Sequence, residues 1–295
     1  MVQNSPLLSV IMPNLNKGEY VRDAIGSILG QSYDNFELHF VDNGSSDKSR
    51  DIAKGFAAQD KRVVLLDEPR RGRSYARNRG IKEARGDLIT FPDSDDVSHE
   101  HRLEEQVNLL VRHPEYGACH TNGWIIDRFG KPTGEVYHKD IVPLPTEGYQ
   151  GSVFHQLLVR NFVIGPSVML RRSCIPSGLY DARLAAAQDW DFTLRLANRH
   201  QFGYLPEPLY GYRIHPGSVP WSLQLSFHPL IYRKCLESLN LTEEDREVVV
   251  RRLLRLYRGN RSYGRLIWLL MKERSARKEA LEHLGRKPSD ATRAS

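Results

Sequence analysis

The sequence has 295 residues, of which 40% are hydrophobic and 26% charged, so it can bury a full core and is not a disordered chain. Its three cysteines stand far apart without C-x-x-C spacing, which argues against a disulfide framework and favours a reducing cytosol. No run of about 18 apolar residues occurs, and the N-terminus lacks the features of a signal peptide. We therefore expect a cytoplasmic protein without a membrane-spanning segment.

The net charge of +6 is concentrated near the end of the chain. Residues 246–287 contain thirteen Lys or Arg and four Asp or Glu, a balance of +9, whereas residues 1–245 carry a balance of −3. The pI of about 9.2 therefore describes the C-terminal segment rather than the whole protein. No nucleic-acid partner is predicted.

The first half of the chain alternates short apolar runs with amphipathic stretches, which is typical of βα units with a mainly parallel sheet. The predicted strands are Leu7–Pro13, Phe36–Val41, Val63–Leu66 and Leu88–Phe91. The predicted helices are Tyr20–Leu29, Asp47–Ala58 with Asp47 as its N-cap, Tyr75–Ala84 and Arg102–Val111. Four strands with short connections predict an α/β fold with a Rossmann-like half.

From about Gly117 onward the spacing of the elements changes. Strands are predicted at Ala118–Ile126, Ser167–Leu170 and Phe202–Tyr212, and a helix at Asp189–Asn198. Residues 130–160 have little periodicity and are predicted to form a loop or short helices. After Pro220 the chain is predicted to be helical and then basic, with a partly disordered end from Lys272.

Two acidic clusters follow predicted strands. The first is the segment from Asp42 to Asp47, and the second contains Asp93, Asp95 and Asp96. Carboxyl ends of parallel strands meet at one edge of the sheet, where ligands bind. Three carboxylates within four residues repel one another unless a cation lies among them, and oxygen ligands suit Mg²⁺ or Mn²⁺. The alternative is a turn with a helix N-cap.

Six segments resemble the successive signatures of the family-2 glycosyltransferases, which have the GT-A fold. They are SVIMPNLN, FELHFVDNGSSD, GRSYARNRGIKEARGDLITFPDSDD, GPSVMLRRS, AAQDWDFTLRLA and YGYRIHPGSV, in the family's order over about residues 7–220. The resemblance implies a GT-A catalytic domain at 1–220, with a nucleotide-binding half at 1–115 and an acceptor half at 116–220. A helical, basic extension at 221–295 would follow.

The resemblance also implies roles for acidic and basic residues. Asp95 would be the metal ligand of the D-x-D motif, and Asp93 would contact the ribose or the metal, while Asp96 would hold the loop. His215 would approach the metal or the diphosphate, with a surface turn as the alternative. Arg213 would pair with phosphate oxygens, with a solvated strand edge as the alternative.

Asp189, in QDWD, would be the base that deprotonates the acceptor hydroxyl. Trp190 beside it belongs either to the acceptor site or to the core. Helix capping is the alternative role for Asn16 and for Asn78. The residues expected to contact the nucleotide are Pro13, Asn14, Asn16, Asp42, Asn43, Arg77 and Asn78.

Two positions depart from the family pattern. The family usually has VDDGS, and Asn43 takes the place of the second acid, so binding is expected to survive while the base preference changes. The family often has Glu before the base, and here it is Gln188, which removes a like charge beside Asp189 and should lower the pKa of Asp189 relative to the common pattern. Neither change removes an essential group.

The sequence therefore predicts an inverting, metal-dependent transferase that moves a sugar from a nucleotide-diphosphate donor to a saccharide or lipid-linked acceptor. Such a reaction belongs to surface polysaccharide or glycan assembly. The alternative is a nucleotide-sugar-binding protein that has lost turnover. A nucleotidyltransferase is disfavoured because no Gly-rich phosphate loop occurs. Residues 248–278 either contact anionic membrane lipid or only pack against the rest of the chain.

Overall fold

A computed structural model of the chain describes residues 5–137, 153–259 and 262–273. The chain divides into two compact units, residues 1–220 and residues 221–295. The first unit is built around one sheet, and the described part of the second unit is helical. Among the described residues, no helix has both the length and the apolar character needed to cross a bilayer.

The described residues of the first unit contain a nine-stranded sheet. Its order is β3-β2-β1-β4-β8-β6-β9-β5, with β7 paired to β6. The strand bounds are β1 Leu8–Asn14, β2 Phe36–Asp42, β3 Val63–Asp67, β4 Leu88–Thr90, β5 Val97–Ser98, β6 Tyr116–Ile126, β7 Pro132–Val136, β8 Met169–Arg171 and β9 Gln201–Arg213.

Most paired residues of the sheet lie in parallel ladders. β1 pairs in parallel with β2 and β4, β2 with β3, and β6 with β9. The short strand β8 is antiparallel to both β4 and β6 and joins the two parallel parts. This confirms the predicted α/β class with a mainly parallel sheet.

Six helices accompany the described part of this sheet. Their bounds are α1 Val21–Leu29, α2 Ser49–Ala57, α3 Arg73–Glu83, α4 Arg102–Arg112, α5 Phe154–Val159 and α6 Gln188–Ala197. Because parallel crossovers are right-handed, α1 and α2 lie on one face of the sheet. The crossover through α3 runs in the opposite direction along the sheet, from β3 to β4, and places α3 on the other face.

Two helices of the first unit begin at residues other than the predicted ones. Helix α2 begins at Ser49 rather than Asp47, and the Asp47 carboxylate accepts a hydrogen bond from the Ser49 N–H at 2.9 Å from outside the helix. Asp47 also accepts the Gly18 N–H at 2.8 Å, which draws it toward the preceding loop. Helix α3 begins at Arg73, two residues before the predicted start.

Two short strands lacked a detectable sequence pattern. All five residues of β7 are exposed, so no alternation of apolar and polar residues marks this strand within the predicted loop 130–160. β5 is only two residues long. Residues 138–152 of the same predicted loop lie outside the described residues, and α5 follows them.

The second unit contains α7 Trp221–Ser238, α8 Glu243–Gly259 and α9 Tyr263–Lys272. Thr242 caps α8, because its hydroxyl accepts the Asp245 N–H at 3.1 Å and donates to the Asp245 carboxylate at 2.8 Å. The apolar face of α8 is buried, whereas a stripe of arginines on it is exposed. The exposed arginines of α8 are Arg251, Arg255 and Arg258. The sequence predicted a partly disordered end from Lys272, but Lys272 is the last residue of α9 and Glu273 pairs with Arg246 at 3.0 Å. The rest of that predicted end, from residue 274, lies outside the described residues.

At the amino ends of the central strands, a buried carboxylate holds three segments together. Glu37 Oε1 accepts the Ser9 hydroxyl at 2.7 Å and the Arg85 N–H at 2.8 Å, and Oε2 accepts the Arg85 guanidinium at 2.7 and 2.9 Å. Burial tends to raise the pKa of Glu37, but these hydrogen bonds outweigh it and lower that pKa below its ordinary value.

At the carboxyl ends of the strands, Asn43 joins the segment after β2 to the segment after β3. Its Nδ2 donates to the carbonyls of Glu68 at 2.8 Å and Arg70 at 2.7 Å, and its Oδ1 accepts the Gly72 N–H at 2.7 Å. Gly72 precedes α3 with φ 136°, a conformation that side-chain-bearing residues rarely adopt. Asn43 therefore fixes the point where α3 begins.

We predict that Glu37→Gln lowers the free energy of unfolding by about 1–3 kcal/mol at neutral pH, because charge-assisted hydrogen bonds are lost. The folded pKa of Glu37 lies below the unfolded value of about 4.3, so its stabilisation is present above that pH and is lost as the pH falls through the folded pKa. Urea denaturation at a series of pH values should show the gap between wild type and variant closing in acid. A difference in the free energy of unfolding that stays constant with pH would contradict this prediction. Glu105→Gln, the same substitution on the exposed side of α4, is the control.

We predict that Asn43→Asp destabilises the first unit by roughly 1–3 kcal/mol, because a carboxylate would face two carbonyl oxygens with no donor to offer them. Thermal or urea denaturation measures the change. Asn108→Asp makes the same substitution at an exposed position of α4 and should stay within about 0.5 kcal/mol of wild type. Equal stability of the two variants would show that the Asn43 amide does not hold these segments.

Candidate active site

A cavity of about 320 Å³ opens at the carboxyl ends of β1, β2 and β4. β1 lies between β2 and β4. The connection from β1 to β2 runs on one face of the sheet, and the connection that leads to β4 runs on the other. In open parallel sheets, ligands bind at the carboxyl ends of the strands where the connections change faces in this way. The residues lining it are Pro13, Asn14, Leu15, Asn16, Lys17, Asn43, Arg73, Ala76, Asp93, Ser94, Asp95 and Gly217.

The acidic loop after β4 brings three carboxylates together. Ligand oxygens of Asp93, Asp95 and Asp96 lie within 4.8 Å of one another. Asp93 and Asp95 line the cavity, whereas Asp96 is buried behind them. A group of hard oxygen donors with two members facing a cavity fits a divalent cation of the Mg²⁺ or Mn²⁺ type.

Asp96 faces the protein and supports the loop. Its carboxylate accepts the Tyr210 hydroxyl at 2.7 Å and the Arg213 N–H at 2.8 Å. The Tyr210 hydroxyl also accepts the Asp93 N–H at 3.1 Å. Burial, followed by the negative charges of Asp95 and Asp93, raises the pKa of Asp96 well above its ordinary value, and these two donors only partly oppose that rise.

Asp95 holds two basic side chains on one oxygen. Its Oδ2 lies 2.7 Å from Lys17 Nζ and 3.0 Å from His215 Nε2. Burial tends to raise the pKa of Asp95, but the hydrogen bond from His215 and the charge of Lys17 hold it well below its usual range. The structure thus brings His215 and Lys17 together on Asp95. The expected contact of His215 with a metal or a diphosphate stays a prediction.

Four of the predicted nucleotide contacts line the cavity, and these are Pro13, Asn14, Asn16 and Asn43. The Asn14 amide donates to Asp42 at 3.2 Å and to Ser45 at 3.0 Å, while its buried Oδ1 accepts no hydrogen bond from the described residues. Asn16 has φ 53°, and its Oδ1 accepts the Ser46 N–H at 2.8 Å. Asp42 is buried behind Asn14 and also accepts the Ser45 N–H, so it orients this loop.

Arg77 is buried between acidic groups. Its NH2 donates to Asp93 at 2.8 Å, and its guanidinium lies over the Tyr180 ring at 5.1 Å. Burial tends to lower the pKa of Arg77, but the carboxylates of Asp93 and Asp189 raise it above its ordinary value. Its Nε and NH1 have no hydrogen-bond partner among the described residues, so donors remain available beside Asp93.

The Asn78 side chain is used on the protein. Its Nδ2 donates to the Tyr180 carbonyl and its Oδ1 accepts the Tyr180 N–H, each at 2.9 Å. Both polar atoms of the amide are engaged, and Asn78 is not among the described residues that line the cavity. In this structure Asn78 ties α3 to the segment before α6, where the sequence predicted a contact with the nucleotide.

The Arg213 guanidinium likewise donates its hydrogen bonds to other residues of the protein, whereas the sequence predicted that it pairs with phosphate. Its Nε donates to the Asp95 carbonyl at 2.7 Å, NH1 to the Arg128 carbonyl at 3.2 Å and NH2 to the Asp23 carboxylate at 3.1 Å. The guanidinium also lies over the Tyr20 ring at 5.0 Å. These contacts make Arg213 a support of the acidic loop, because every nitrogen of the guanidinium is engaged.

Among the described residues, the basic side chains that line the cavity are Lys17 and Arg73. Sequence reasoning missed both as candidate ligands of an anion. Arg73 is the first residue of α3, where backbone N–H groups also favour an anion. The sequence contains a signal for both, since each lies within a few residues of a predicted nucleotide contact at a strand end or helix start. That both side chains line the same cavity depends on the tertiary structure.

Asp189 lies in the first turn of α6 and is partly exposed. Its Oδ1 accepts the Trp190 N–H at 2.9 Å, and a side chain at Gly165 would come within 2.5 Å of Oδ2. Asp189 is not among the described residues that line the cavity, but its charge acts on Arg77, which holds Asp93. Trp190 is buried and donates to the Leu157 carbonyl at 3.1 Å, so it belongs to the core.

Two solved structures share the fold of this chain. The chain matches Staphylococcus aureus TarS 1–349 in complex with UDP-GlcNAc with a TM-score of 0.64 and 18% identity, over 88% of this chain and 74% of that one. It matches the mannosyltransferase PcManGT from Pyrobaculum calidifontis, in complex with GDP-Man and Mn²⁺, with a TM-score of 0.59 and 17% identity, over 97% and 78%. The fold is therefore the GT-A fold that the sequence predicted.

Relatives in sequence agree with this fold. The chain is 43% identical over 127 residues to an uncharacterized glycosyltransferase of Haemophilus influenzae, and the match covers 41% of this chain and about half, 51%, of the relative. It is 30% identical over 216 residues to an uncharacterized glycosyltransferase of Methanocaldococcus jannaschii, covering 72% of each. The model of the family "Glycosyl transferase family 2" matches residues 9–175. The chain belongs to glycosyl transferase family 2.

Proposed function

We propose that the protein is an inverting glycosyltransferase that moves a sugar from a nucleotide-diphosphate donor to the hydroxyl of a saccharide or lipid-linked acceptor. The observation that carries this proposal is the pair Asp93 and Asp95 on the wall of the cavity. Arg77 binds Asp93, and Asp189 is near enough for its charge to raise the pKa of Arg77. Asp93 and Asp95 would bind the metal that accompanies the donor's diphosphate, and Asp189 would accept the proton of the acceptor hydroxyl. The product would enter surface polysaccharide or glycan assembly.

The nucleotide half of the donor would occupy the cavity. Asn14 offers a buried carbonyl oxygen that a donor group of the base or ribose can use, and Pro13 offers apolar surface and no N–H. Lys17 and Arg73 would contact the diphosphate. The TarS structure carries UDP-GlcNAc and the Pyrobaculum mannosyltransferase carries GDP-Man, which supports a nucleotide-sugar donor for this chain.

Asp93 and Asp95 would hold a divalent cation, and the manganese in the Pyrobaculum mannosyltransferase supports this choice. Bound there, the ion would supply positive charge against the negative charge that develops on the leaving diphosphate. Asp96 would keep the loop in place through Tyr210 and Arg213 rather than bind the ion. Arg77 would hold Asp93 in its orientation.

Asp189 would act as the base. Its carboxylate would take the proton of the acceptor hydroxyl while the hydroxyl oxygen forms a bond to the anomeric carbon of the sugar. The bond between that carbon and the diphosphate oxygen breaks on the opposite side, and the nucleoside diphosphate leaves. An attack in line with the departing group inverts the anomeric configuration.

The acceptor would lie near Tyr137 and Tyr212, whose ring centroids are 5.1 Å apart. Burial, and then the charges of Asp189 and Asp96, raise the pKa of Tyr137 to about 12, so this phenol stays protonated and lies within electrostatic reach of both carboxylates. The C–H faces of sugars pack well on aromatic rings. These two rings would therefore orient a saccharide against Asp189.

Contact of residues 248–278 with an anionic membrane would serve a lipid-linked acceptor. The exposed arginines of α8 support electrostatic attraction to lipid headgroups. Insertion of the apolar face of α8 is not supported, because Val249, Leu253 and Tyr257 are buried. Residues 260–261 and 274–278 of the predicted segment lie outside the described residues.

We predict that one nucleoside diphosphate sugar among UDP, GDP and dTDP forms raises the melting temperature, and that Mn²⁺ increases the effect. At a hundredfold excess over the dissociation constant the stabilisation is about 2.7 kcal/mol. Asp95→Asn should remove the contribution of Mn²⁺, and Asp51→Asn, at an exposed position of α2, should not. A protein that responds to none of these sugars would contradict the proposed donor.

We predict that Asp189→Asn lowers the transfer rate by about 10²–10⁴-fold, because the amide cannot accept the hydroxyl proton. Binding of the nucleotide sugar and Mn²⁺ should stay within about twofold, since Asp189 does not line the cavity. NMR of the product should show an inverted anomeric centre. Unchanged turnover would refute the base, and a retained configuration would refute the mechanism. Glu207→Gln, at an exposed position of β9, is the control.

The same two experiments separate an enzyme from a binding protein of the same fold that has lost turnover. A binding protein would show the metal-dependent rise in melting temperature for wild type and Asp189→Asn alike, and no transfer in either. The proposed enzyme shows the binding in both and transfer in wild type alone.

A further inference from the structure

Lys17 combines a fixed backbone with a charged side chain in the cavity. The Lys17 N–H donates to the Ser49 hydroxyl at 2.9 Å, and the Lys17 carbonyl accepts the N–H groups of Tyr20 at 2.8 Å and Val21 at 2.9 Å. The backbone of Lys17 is therefore tied to the starts of both α1 and α2. A change in the position of its ammonium group would come from rotation of the side chain alone.

The ammonium group of Lys17 is bound to the acid that faces the cavity. Nζ lies 2.7 Å from Asp95 Oδ2, and the Lys17 side chain is 14% exposed. A short contact between a buried carboxylate and an ammonium group is a strong interaction, because little water screens it. Asp95 is thus neutralised by a residue of the same chain.

His215 completes this group as a donor. The Gly217 N–H donates to His215 Nδ1 at 3.1 Å, so Nδ1 carries no proton and Nε2 carries one. Nε2 then donates to Asp95 Oδ2 at 3.0 Å. Nε2 and Lys17 Nζ, 3.3 Å apart, are two donors that share one acceptor and do not bond each other.

The Asp95 oxygen that binds Lys17 belongs to the pair of acids assigned above to a divalent cation. A lysine ammonium and a divalent cation on the same carboxylate lie close together and repel each other, because little water screens them. Lys17 must therefore leave Asp95 when such a cation binds there. Lys17 lines the cavity in which the donor is proposed to bind, so the anion that it would reach after leaving Asp95 is the donor's diphosphate.

We propose that Lys17 is an exchangeable internal cation, which competes with the divalent metal for Asp95 and moves to the donor's diphosphate when the metal binds. This inference rests on the proposed function. The transfer of Lys17 makes the metal and the nucleotide bind cooperatively, because the nucleotide holds the lysine away from the metal site and the metal frees the lysine for the nucleotide.

The test is the affinity for Mn²⁺, measured by the EPR signal of free Mn²⁺, for wild type and Lys17→Met. With Mn²⁺ alone, Lys17→Met should bind about tenfold more tightly than wild type, because the competing charge is gone. At least one of UDP, GDP and dTDP, added in parallel, should tighten Mn²⁺ binding to wild type. The factor by which the nucleotide does so should fall about tenfold in Lys17→Met.

Two variants serve as controls. Lys17→Arg keeps the charge and should bind Mn²⁺ as weakly as wild type. Lys54→Met removes a lysine from an exposed position of α2 and should leave both measurements unchanged. If circular dichroism shows that Lys17→Met is unfolded, Lys17→Gln, which removes the charge but keeps a polar side chain, replaces it in the same measurement.

The outcomes separate this inference from the proposed function. If Mn²⁺ and a nucleotide bind, but Mn²⁺ alone binds the charge-removing variant no more tightly than wild type, Lys17 is not a competitor and only this inference fails. If neither protein binds Mn²⁺ with any of the three nucleotides, the proposed function fails, and the inference fails with it. Tighter binding in both charge-removing and charge-keeping variants would also overturn it, because charge would then not be the cause.

Discussion

The site depends on neutralising three carboxylates that the chain places within four residues of one another. Each acid has a different partner, since Asp93 binds Arg77, Asp95 binds Lys17 and His215, and Asp96 binds Tyr210 with the Arg213 N–H. Without these partners the loop would carry uncompensated negative charge in a buried position, which is costly. The partners come from the end of β1, from α3 and from β9, so the loop holds its shape only when the whole first unit is folded.

The division of labour among the acids follows from their surroundings. Burial raises the pKa of Asp96, which supports the acidic loop through its hydrogen bonds. Asp95 faces the cavity, and its lowered pKa keeps it ionised. Arg213 and Asn78 form hydrogen bonds with other parts of the protein, whereas Lys17 and Arg73 line the cavity. Residue type alone does not distinguish a guanidinium that supports a loop from one that faces a ligand.

Much of the first unit could be predicted from local patterns. The apolar runs of β1 and β2 and the amphipathic period of α1 are visible in the sequence because each depends on neighbours a few residues away. The exposed strand β7 and the two-residue strand β5 could not be predicted, because neither has an apolar pattern and both exist through pairing with distant strands.

The sequence by itself determined the α/β class, the acids after β4, the family resemblance and the positions of the residues expected to bind the donor. The tertiary structure decided which of these side chains share one cavity and which are used on the protein. Lys17 and His215 meet although 198 residues separate them, and Arg213 reaches Asp23 across 190. Such meetings depend on how the sheet and its helices pack, because no local pattern encodes the direction in which a distant side chain points.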